Sequence, residues 1–157
     1  EKDGLYTQPR SLDTVAFLKS IVAFFQDREE AKERVLQIHR QASASTIITD
    51  PTLLKQILCY MVKNALEACE QKETVTLNAD ARGGQVEFSV QNPNFIPKEV
   101  QLQIFQRGFT TKEEGRGLGT YGMRLLSEKY QEGKVSFVST PNVGTTFRAA
   151  FPTSIQG

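Results

Sequence analysis

The chain has 157 residues, of which 39% are hydrophobic and 24% are charged, which is enough for one hydrophobic core and short for two. Its 19 basic and 18 acidic residues leave a formal net charge of +1, a field too weak to indicate nucleic acid or an anionic membrane surface as a partner. We therefore expect one domain that binds no nucleic acid.

Sequence features that report on compartment favour the cytoplasm. No apolar stretch approaches the roughly 20 residues that span a bilayer, and residues 1–4 have no signal-peptide character. Cys59 and Cys69 fall in one predicted helix at a spacing that suits no disulfide, so we expect both thiols to be reduced. We expect a soluble, cytoplasmic domain, whose parent protein is compatible with a membrane anchor.

The first half of the chain predicts two helices and two short strands. Ser11 can cap a first helix, whose apolar residues continue at helical spacing to Phe25. Residues 36–39 alternate as a strand does, and residues 46–49 form a second short strand. Asp50 then caps a helix that has Pro51 at its first position. The broad apolar face of this helix predicts burial against a sheet.

The second half predicts a hairpin, a long polar connection, a third helix and two closing strands. The strands of the hairpin are residues 75–79 and 86–90, joined by a Gly83-Gly84 turn. Residues 97–119 form a lid-like connection, and residues 118–130 restore helical spacing. The closing strands are residues 135–138 and 146–151. This order predicts three helices on one face of a mixed sheet of five or six strands.

The long helix carries two polar residues that are candidates for a metal site. Asn64 falls near the edge of the apolar face, and its side-chain oxygen is a hard neutral ligand that suits Mg²⁺. Glu67 lies three residues later, nearly on the same face, where it either tunes a metal-bound water or is a solvated carboxylate. A polar residue on the exposed side of the helix is the alternative for Asn64.

A glycine-rich segment before the third predicted helix is a candidate phosphate site. Gly117 and Gly119 leave backbone N–H groups unobstructed at a helix start, where they can point at phosphate oxygens. Lys112 and Arg116 are candidates for steadying charge on a γ-phosphate, since phosphoryl transfer depends largely on positioning and electrostatics. The alternative is a polar surface loop whose glycines only cap neighbouring elements.

Taken together, these segments resemble the ATP-binding catalytic domain of sensor histidine kinases, within the superfamily that includes gyrase, the Hsp90 chaperones and MutL. The matching stretches are Asp50-Pro51-x-x-Leu54-x-Gln56-Ile57-Leu58, Asn64-Ala65-x-Glu67-Ala68, Ile104-Phe105, Phe109-Thr110-Thr111-Lys112, Gly115-Arg116-Gly117-Leu118-Gly119 and Gly144-Thr145-x-Phe147. The resemblance implies an α+β protein with the Bergerat fold. This is a two-layer α/β sandwich in which three helices cover one face of a mixed, mostly antiparallel sheet of about five strands, with an ATP lid.

The resemblance also implies a division of the chain and a set of partners. Residues 1–10 would be a remnant of the linker to a dimerisation and phosphoacceptor domain, and residues 11–157 the catalytic domain. The implied ligands are ATP and Mg²⁺, and the implied partner is the helical phosphoacceptor domain of the same or a partner protomer. A response regulator would be an indirect partner. The isolated domain would be a monomer, and the full-length protein a homodimer.

The site residues that the resemblance implies are distributed over the whole domain. Those that bind the nucleotide are Asn64, Asn92, Ile96, Thr111, Gly115, Gly117, Leu118, Gly119 and Thr145. Asn64 would also hold the metal, and Thr145 would help to hydrogen-bond the adenine edge. The catalytic residues would be Lys112, Arg116 and Glu67.

Two positions depart from the family pattern. The family has Asp-x-Gly-x-Gly where this chain has Asn92-Pro93-Asn94-Phe95, so the adenine-binding aspartate becomes a neutral asparagine whose oxygen can still accept a hydrogen bond. Without the one-residue deletion that this alignment needs, Gln91 takes the aspartate position. Tyr60 stands where histidine kinases carry asparagine and the ATP-hydrolysing branches carry glutamate. Tyrosine, with a pKa of about 10, is a poor general base, which argues against a hydrolase.

His39 is the only histidine of the chain, and its strand-like surroundings do not match a helical phosphoacceptor. We therefore expect the acceptor histidine to lie outside this chain. Two alternatives to a histidine kinase domain remain. One is a nucleotide-poor regulatory or docking module of the same fold, and the other is an anti-sigma-type protein serine kinase.

Overall fold

The computed structural model describes residues 8–101 and 134–153. In chain order the elements are β1 (Arg10–Asp13), α1 (Thr14–Phe25), a 3-10 turn (Glu29–Ala31), β2 (Val35–Ile38), β3 (Thr46–Thr49), α2 (Pro51–Glu67), β4 (Thr74–Arg82), β5 (Gln85–Asn92), α3 (Lys98–Gln101), β6 (Lys134–Thr140) and β7 (Gly144–Pro152). The third helix predicted at residues 118–130 and most of the predicted lid lie outside the described residues.

The main sheet has five strands in the order β2-β4-β5-β7-β6. The edge strand β2 is parallel to β4, and the other three pairings are antiparallel. The predicted hairpin is β4 and β5, and its turn contains Gly83 and Gly84, both with positive φ. The predicted mixed, mostly antiparallel sheet of an α+β protein is confirmed.

The start of α1 differs from the prediction. Asp13, and not Ser11, caps the helix, because the Asp13 carboxylate accepts a hydrogen bond from the Ala16 amide at 2.8 Å. Ser11 belongs to β1, which pairs antiparallel with β3 in a separate two-stranded sheet. The small sheet is joined to the end of β7 by a hydrogen bond from the Ile48 amide to the Thr153 carbonyl, 2.8 Å long.

The start of α2 is as predicted. The Asp50 carboxylate accepts hydrogen bonds from the Thr52 and Leu53 amides at 2.9 and 3.2 Å, and Pro51 stands at the first helical position. The apolar face of α2 is buried against the sheet and is formed by Leu53, Leu54, Ile57, Leu58, Met61, Val62, Ala65 and Leu66. Every second residue of β5, and of β4 as far as Ala79, is buried beneath the helices.

Aromatic rings join the layers at the centre of the core. Phe88 of β5 lies 6.2 Å from Phe17 of α1 and 6.3 Å from Phe151 of β7, measured between ring centroids. Such tilted and edge contacts are the favoured arrangement of aromatic pairs. The helices of the described residues include none that is long and apolar enough to cross a membrane.

Both cysteines carry free thiols, as predicted. Burial raises the pKa of the Cys59 thiol and raises that of Cys69 to about 11. Both groups are therefore protonated at neutral pH and act as apolar packing groups.

Candidate functional site

The ends of β5 and β7 bring two predicted site residues together. Asn92 is the last residue of β5 and the register partner of Thr145 in β7. Both lie on the face of the sheet that packs against the helices, in line with the buried Val90 and Phe147. Asn92 is 2% exposed and Thr145 is 0% exposed, so two polar side chains end an otherwise apolar row.

The Asn92 side chain closes a turn. Its Oδ1 accepts a hydrogen bond from the Asn94 amide, 2.8 Å away, across Pro93, which has no N–H to offer. The amide nitrogen, Nδ2, has no hydrogen-bond partner among residues 8–101 and 134–153. A buried amide donor is stabilised when it finds a partner, since leaving one unpaired costs about 1–3 kcal/mol.

Gln91, the alternative for the aspartate position, lies on the other face of β5. Its Nε2 donates to the Val143 carbonyl at 3.1 Å. Because successive residues of a strand point to opposite faces, only one of these two residues can face the helices, and that residue is Asn92.

The close approach of another backbone segment explains why a glycine precedes Thr145. Its φ is +96°, and a Cβ at this position would lie 2.2 Å from the Asn92 carbonyl oxygen and 2.6 Å from the Pro93 carbonyl carbon. No side chain fits in that space. The Gly144-Thr145 motif therefore lets the turn after β5 pass directly over the start of β7.

A chain of hydroxyl groups holds the segment after the turn. The Ile96 amide donates to Ser139 Oγ at 2.8 Å, Ser139 Oγ lies 2.8 Å from Thr145 Oγ1, and Thr145 Oγ1 donates to the Asn94 carbonyl at 2.7 Å. Ile96, predicted to bind nucleotide, thus contributes its backbone to the same cluster as Thr145. We call Asn92, Asn94, Ile96, Ser139 and Thr145 the strand-end cluster.

Asn94 connects the strand-end cluster to the C-terminal end of α2. Its Nδ2 donates to the Ala68 carbonyl and to Glu73 Oε1, the latter at 2.9 Å. Glu73 also accepts from the Glu70 amide, at 2.8 Å. The pKa of the Glu73 carboxyl is lowered, first by the Glu70 amide and then by the Asn94 side chain, because both hydrogen bonds favour the ionised form.

The two polar residues of α2 lie within a turn of this junction. The Ala68 amide donates to the Asn64 carbonyl at 3.2 Å, and the Ala68 carbonyl accepts from Asn94. Ala68 therefore links the Asn64 backbone to Asn94. The Asn64 side chain is half-buried and that of Glu67 is exposed. An amide oxygen and a carboxylate suit Mg²⁺, which takes one or two protein oxygens and completes its shell with phosphates and water.

Other predicted site residues stay predictions. Seven of them lie outside the described residues: Thr111, Lys112, Gly115, Arg116, Gly117, Leu118 and Gly119. The part of the chain that the structure describes contains no group of three or more histidine, cysteine, aspartate or glutamate side chains placed to hold a metal ion. Tyr60 is partly buried against the core from α2.

His39 is the first residue after β2 and is exposed, as expected for a residue that faces away from the core. Its amide donates to the Leu77 carbonyl at 2.8 Å, and its Nδ1 accepts from the Gln41 amide at 3.1 Å. It therefore lies in a loop beside the sheet and not on a helix.

Ser139 and the role of Asn94 are not predicted by the sequence motifs. Ser139 belongs to no motif, and its partners Ile96 and Thr145 are 43 and 6 residues away in the chain. One signal was available for Asn94, because Asn-Pro-Asn after a strand is typical of an Asx turn.

Sequence comparison assigns the chain to a known family. Residues 49–155 match the family described as histidine kinase-, DNA gyrase B-, and HSP90-like ATPase. The chain belongs to that family. Relatives include the sensor histidine kinase ZraS of Escherichia coli (strain K12), 31% identical over 81% of this chain and 28% of that protein, and the sensor protein DegM of Bacillus sp. (strain B21-2), 30% identical over 78% of this chain and 33% of that protein. The chain thus spans about a third of these relatives.

Solved structures show the same fold. The nucleotide-free catalytic domain of the histidine kinase ThkA is similar with a TM-score of 0.81 and 24% identity, covering 94% of this chain and 97% of that domain. ThkA has also been solved in complex with the response regulator protein TrrA, where the TM-score is 0.78 over 94% of this chain and 42% of that chain. The Bergerat-type sandwich expected from the sequence is therefore confirmed.

Proposed function

We propose that this chain is the ATP-binding catalytic domain of a two-component sensor histidine kinase. It would bind Mg-ATP and present the γ-phosphate to a histidine of a separate helical domain. In the transfer step, the bond between the γ-phosphorus and the bridging oxygen of ADP breaks, and a bond from the phosphorus to the acceptor imidazole nitrogen forms. The observation that supports this most strongly is the strand-end cluster, which places Asn92 and Thr145 side by side within a family of ATPase domains.

Each end of the nucleotide would meet a different part of the domain. The base would lie against Asn92, Thr145 and the segment that ends at Ile96. Asn64 would hold Mg²⁺ through its side-chain oxygen, with Glu67 acting on a metal-bound water. Mg²⁺, when bound, would neutralise charge on the phosphates.

The glycine-rich segment would complete the phosphate side of the site. Backbone N–H groups of Gly115, Gly117, Leu118 and Gly119 and the Thr111 hydroxyl would donate to phosphate oxygens. Lys112 and Arg116 would stabilise charge on the γ-phosphate during transfer. These roles rest on the sequence pattern.

Relatives support the wider context of the proposal. Several carry the names of sensor histidine kinases, and one solved neighbour is bound to its response regulator. We accordingly propose a cytoplasmic domain whose full-length protein is a homodimer and which acts on a response regulator only indirectly.

Ligand-dependent melting tests nucleotide binding. A ligand that binds only the folded state at 100 times its dissociation constant stabilises that state by about 2.7 kcal/mol, so millimolar Mg-ATP should raise the melting temperature of the chain. The increase should shrink for Asn64→Ala and on chelation of Mg²⁺. Asn78→Ala is the matched control, because Asn78 lies on β4 on the face away from the helices.

An unchanged melting temperature at millimolar Mg-ATP would contradict the proposal. Transfer itself is tested by adding a helical phosphoacceptor domain in trans and following labelled γ-phosphate. The proposal expects acid-labile, alkali-stable label on histidine; release as inorganic phosphate alone would indicate a hydrolase instead.

A further inference from the structure

Asn94 contacts two parts of the candidate site at once. Its backbone belongs to the strand-end cluster, since its amide donates to Asn92 Oδ1 at 2.8 Å and its carbonyl accepts from Thr145 Oγ1 at 2.7 Å. Its side chain has other partners, because Nδ2 donates to the Ala68 carbonyl and, at 2.9 Å, to Glu73 Oε1. The two N–H groups of this side-chain amide are thus directed at acceptors outside the strand-end cluster.

The contact of Asn94 with Ala68 falls where α2 ends. The last carbonyls of a helix have no donors within the helix, so donors from other segments decide how its end is held. Ala68 is the C-terminal cap of α2, and its carbonyl accepts from Asn94. The carbonyl of the next residue, Cys69, accepts from Arg34 Nε and Nη2 at 3.1 and 2.9 Å. Side chains from two distant segments therefore hold the end of this helix.

The last turn of α2 connects this anchored end to Asn64. The Ala68 amide donates to the Asn64 carbonyl at 3.2 Å, and a separation of four residues corresponds to about 6 Å along the helix axis. A hydrogen-bonded helical turn is a stiff connection, so Asn94 fixes the place of Ala68 and, through it, that of Asn64. In the proposed function Asn64 holds Mg²⁺ and the strand-end cluster receives the base. The Asn94 side chain therefore joins the two ends of the site.

We propose that Asn94 is a positioning residue for the metal end of the nucleotide site. This inference rests on the nucleotide-binding function proposed above. Asn94 acts without contacting the metal or the phosphates: its side chain holds the end of α2 at the distance from the strand-end cluster that lets a base-bound nucleotide reach Mg²⁺ at Asn64. A displacement of about 1 Å is enough to weaken such an interaction strongly when the other end of the ligand is fixed.

The effect of Mg²⁺ on ATP affinity measures this role. Titration calorimetry of the whole chain gives the ATP dissociation constant in excess Mg²⁺ and again in EDTA. Asn94→Ala removes the side-chain donor and keeps both backbone hydrogen bonds, so it should weaken binding about tenfold with Mg²⁺ and by less than about twofold without it. Asn78→Ala, on the face of β4 away from the helices, is the matched control and should change neither constant.

A double-mutant cycle separates positioning from a general loss of structure. A residue that acts through Asn64 has nothing to position once the Asn64 side chain is removed. In an Asn64→Ala background, Asn94→Ala should therefore leave the ATP dissociation constant unchanged in the presence of Mg²⁺. Asn94→Asp keeps the size of the side chain but cannot donate, and it replaces the alanine variant if that one does not fold.

Three results are distinguishable. A loss of ATP affinity that requires both Mg²⁺ and the Asn64 side chain supports the inference. If Asn94→Ala weakens binding equally with and without Mg²⁺, changes neither constant, or acts equally in the Asn64→Ala background, the inference is wrong while nucleotide binding stands. If the folded parent chain does not bind ATP, or binds it no more tightly with Mg²⁺, the proposed function itself fails.

Discussion

Two buried regions of the molecule differ in chemistry. The interface between α2 and the sheet is apolar, whereas the strand-end cluster is polar. The buried side chains under α2 form an apolar cluster that includes Leu54 and Phe88. At the strand ends, hydroxyl, amide and carbonyl groups are buried in a row, and one of them, the Asn92 amide nitrogen, has no partner among the described residues. The first region can serve stability alone, whereas the second retains hydrogen-bonding capacity that residues 8–101 and 134–153 do not use.

This difference separates two effects of mutation. Substitutions under α2 should lower the free energy of unfolding and leave nucleotide affinity of the folded molecules unchanged. Substitutions in the strand-end cluster should change affinity by more than their effect on stability predicts. The variants below test this separation, in order of decreasing expected effect.

Truncating the central aromatic residue should have the largest effect. Phe88→Ala removes a fully buried ring that contacts Phe17 and Phe151, and should lower the free energy of unfolding in urea by about 3–5 kcal/mol. Phe24→Ala is the matched control, because Phe24 is 39% exposed and contacts the Phe25 ring and the cations of Arg28 and Lys55, so its loss should lower the free energy of unfolding by only about 1 kcal/mol. Equal losses would show that the core does not lie where the structure has it.

Adding one methyl group at Gly144 should come next. Residue 144 has a positive φ, and a new Cβ there would collide with the Asn92 carbonyl. We therefore expect Gly144→Ala to lower the free energy of unfolding by about 2–3 kcal/mol. Nucleotide affinity should fall as well, since the turn that carries Asn92 must move. Gly84 also has a positive φ, but the space around it is open. Gly84→Ala should therefore lower the free energy of unfolding by only about 1 kcal/mol and leave nucleotide affinity unchanged. If the two variants behave alike, the close approach of the two segments is refuted.

Removing one hydroxyl at constant shape should have a smaller effect. Thr145→Val leaves the Asn94 carbonyl without its donor and should lower the free energy of unfolding by about 1–2 kcal/mol. Nucleotide affinity should fall too, and Thr145→Ser should recover both. Thr146→Val, half-buried on the opposite face of β7, is the control. Identical urea midpoints for the two valine variants would contradict the hydroxyl chain.

Removing the charge of Glu73 should have the smallest effect on stability, and this effect should depend on pH. The folded state lowers the pKa of this carboxyl below its ordinary value of 4.5. Its stabilising contribution is therefore complete above that pH and is lost as the pH falls through the folded-state pKa. Glu73→Gln cannot titrate, so its melting-temperature difference from the parent chain should be greatest near neutral pH and shrink below about pH 4.5. A difference that is independent of pH would rule out this contribution.

Local patterns in the sequence were enough for the elements whose ends carry strong signals. Asp50 and Pro51 start α2 as predicted, and Gly83-Gly84 forms the turn of the hairpin. The start of α1 was placed two residues early because Leu12 continues the apolar spacing of the helix. Pairing of β1 with β3 keeps Ser11 extended, and this tertiary contact overrides the local capping preference.

The candidate site was predictable as a set of residues but not as a geometry. Asn92 and Thr145 were found by their motifs, whereas their pairing depends on β7 lying between β5 and β6, which no local pattern specifies. Ser139 was missed because its contribution is a hydrogen bond between distant segments. The contacts of the Thr145 hydroxyl likewise join segments that are distant in the chain, because Thr145 Oγ1 donates to the Asn94 carbonyl.

The central claim is that the strand-end cluster receives the base of a nucleotide. Its most direct test is a ¹H–¹⁵N correlation spectrum that follows the Asn92 side-chain amide while Mg-ATP is added to the chain. We predict that the Asn92 Nδ2 protons shift on addition of Mg-ATP and that those of Asn78 stay in place. Nucleotide binding that shifts other resonances and leaves the Asn92 amide unchanged would contradict the account.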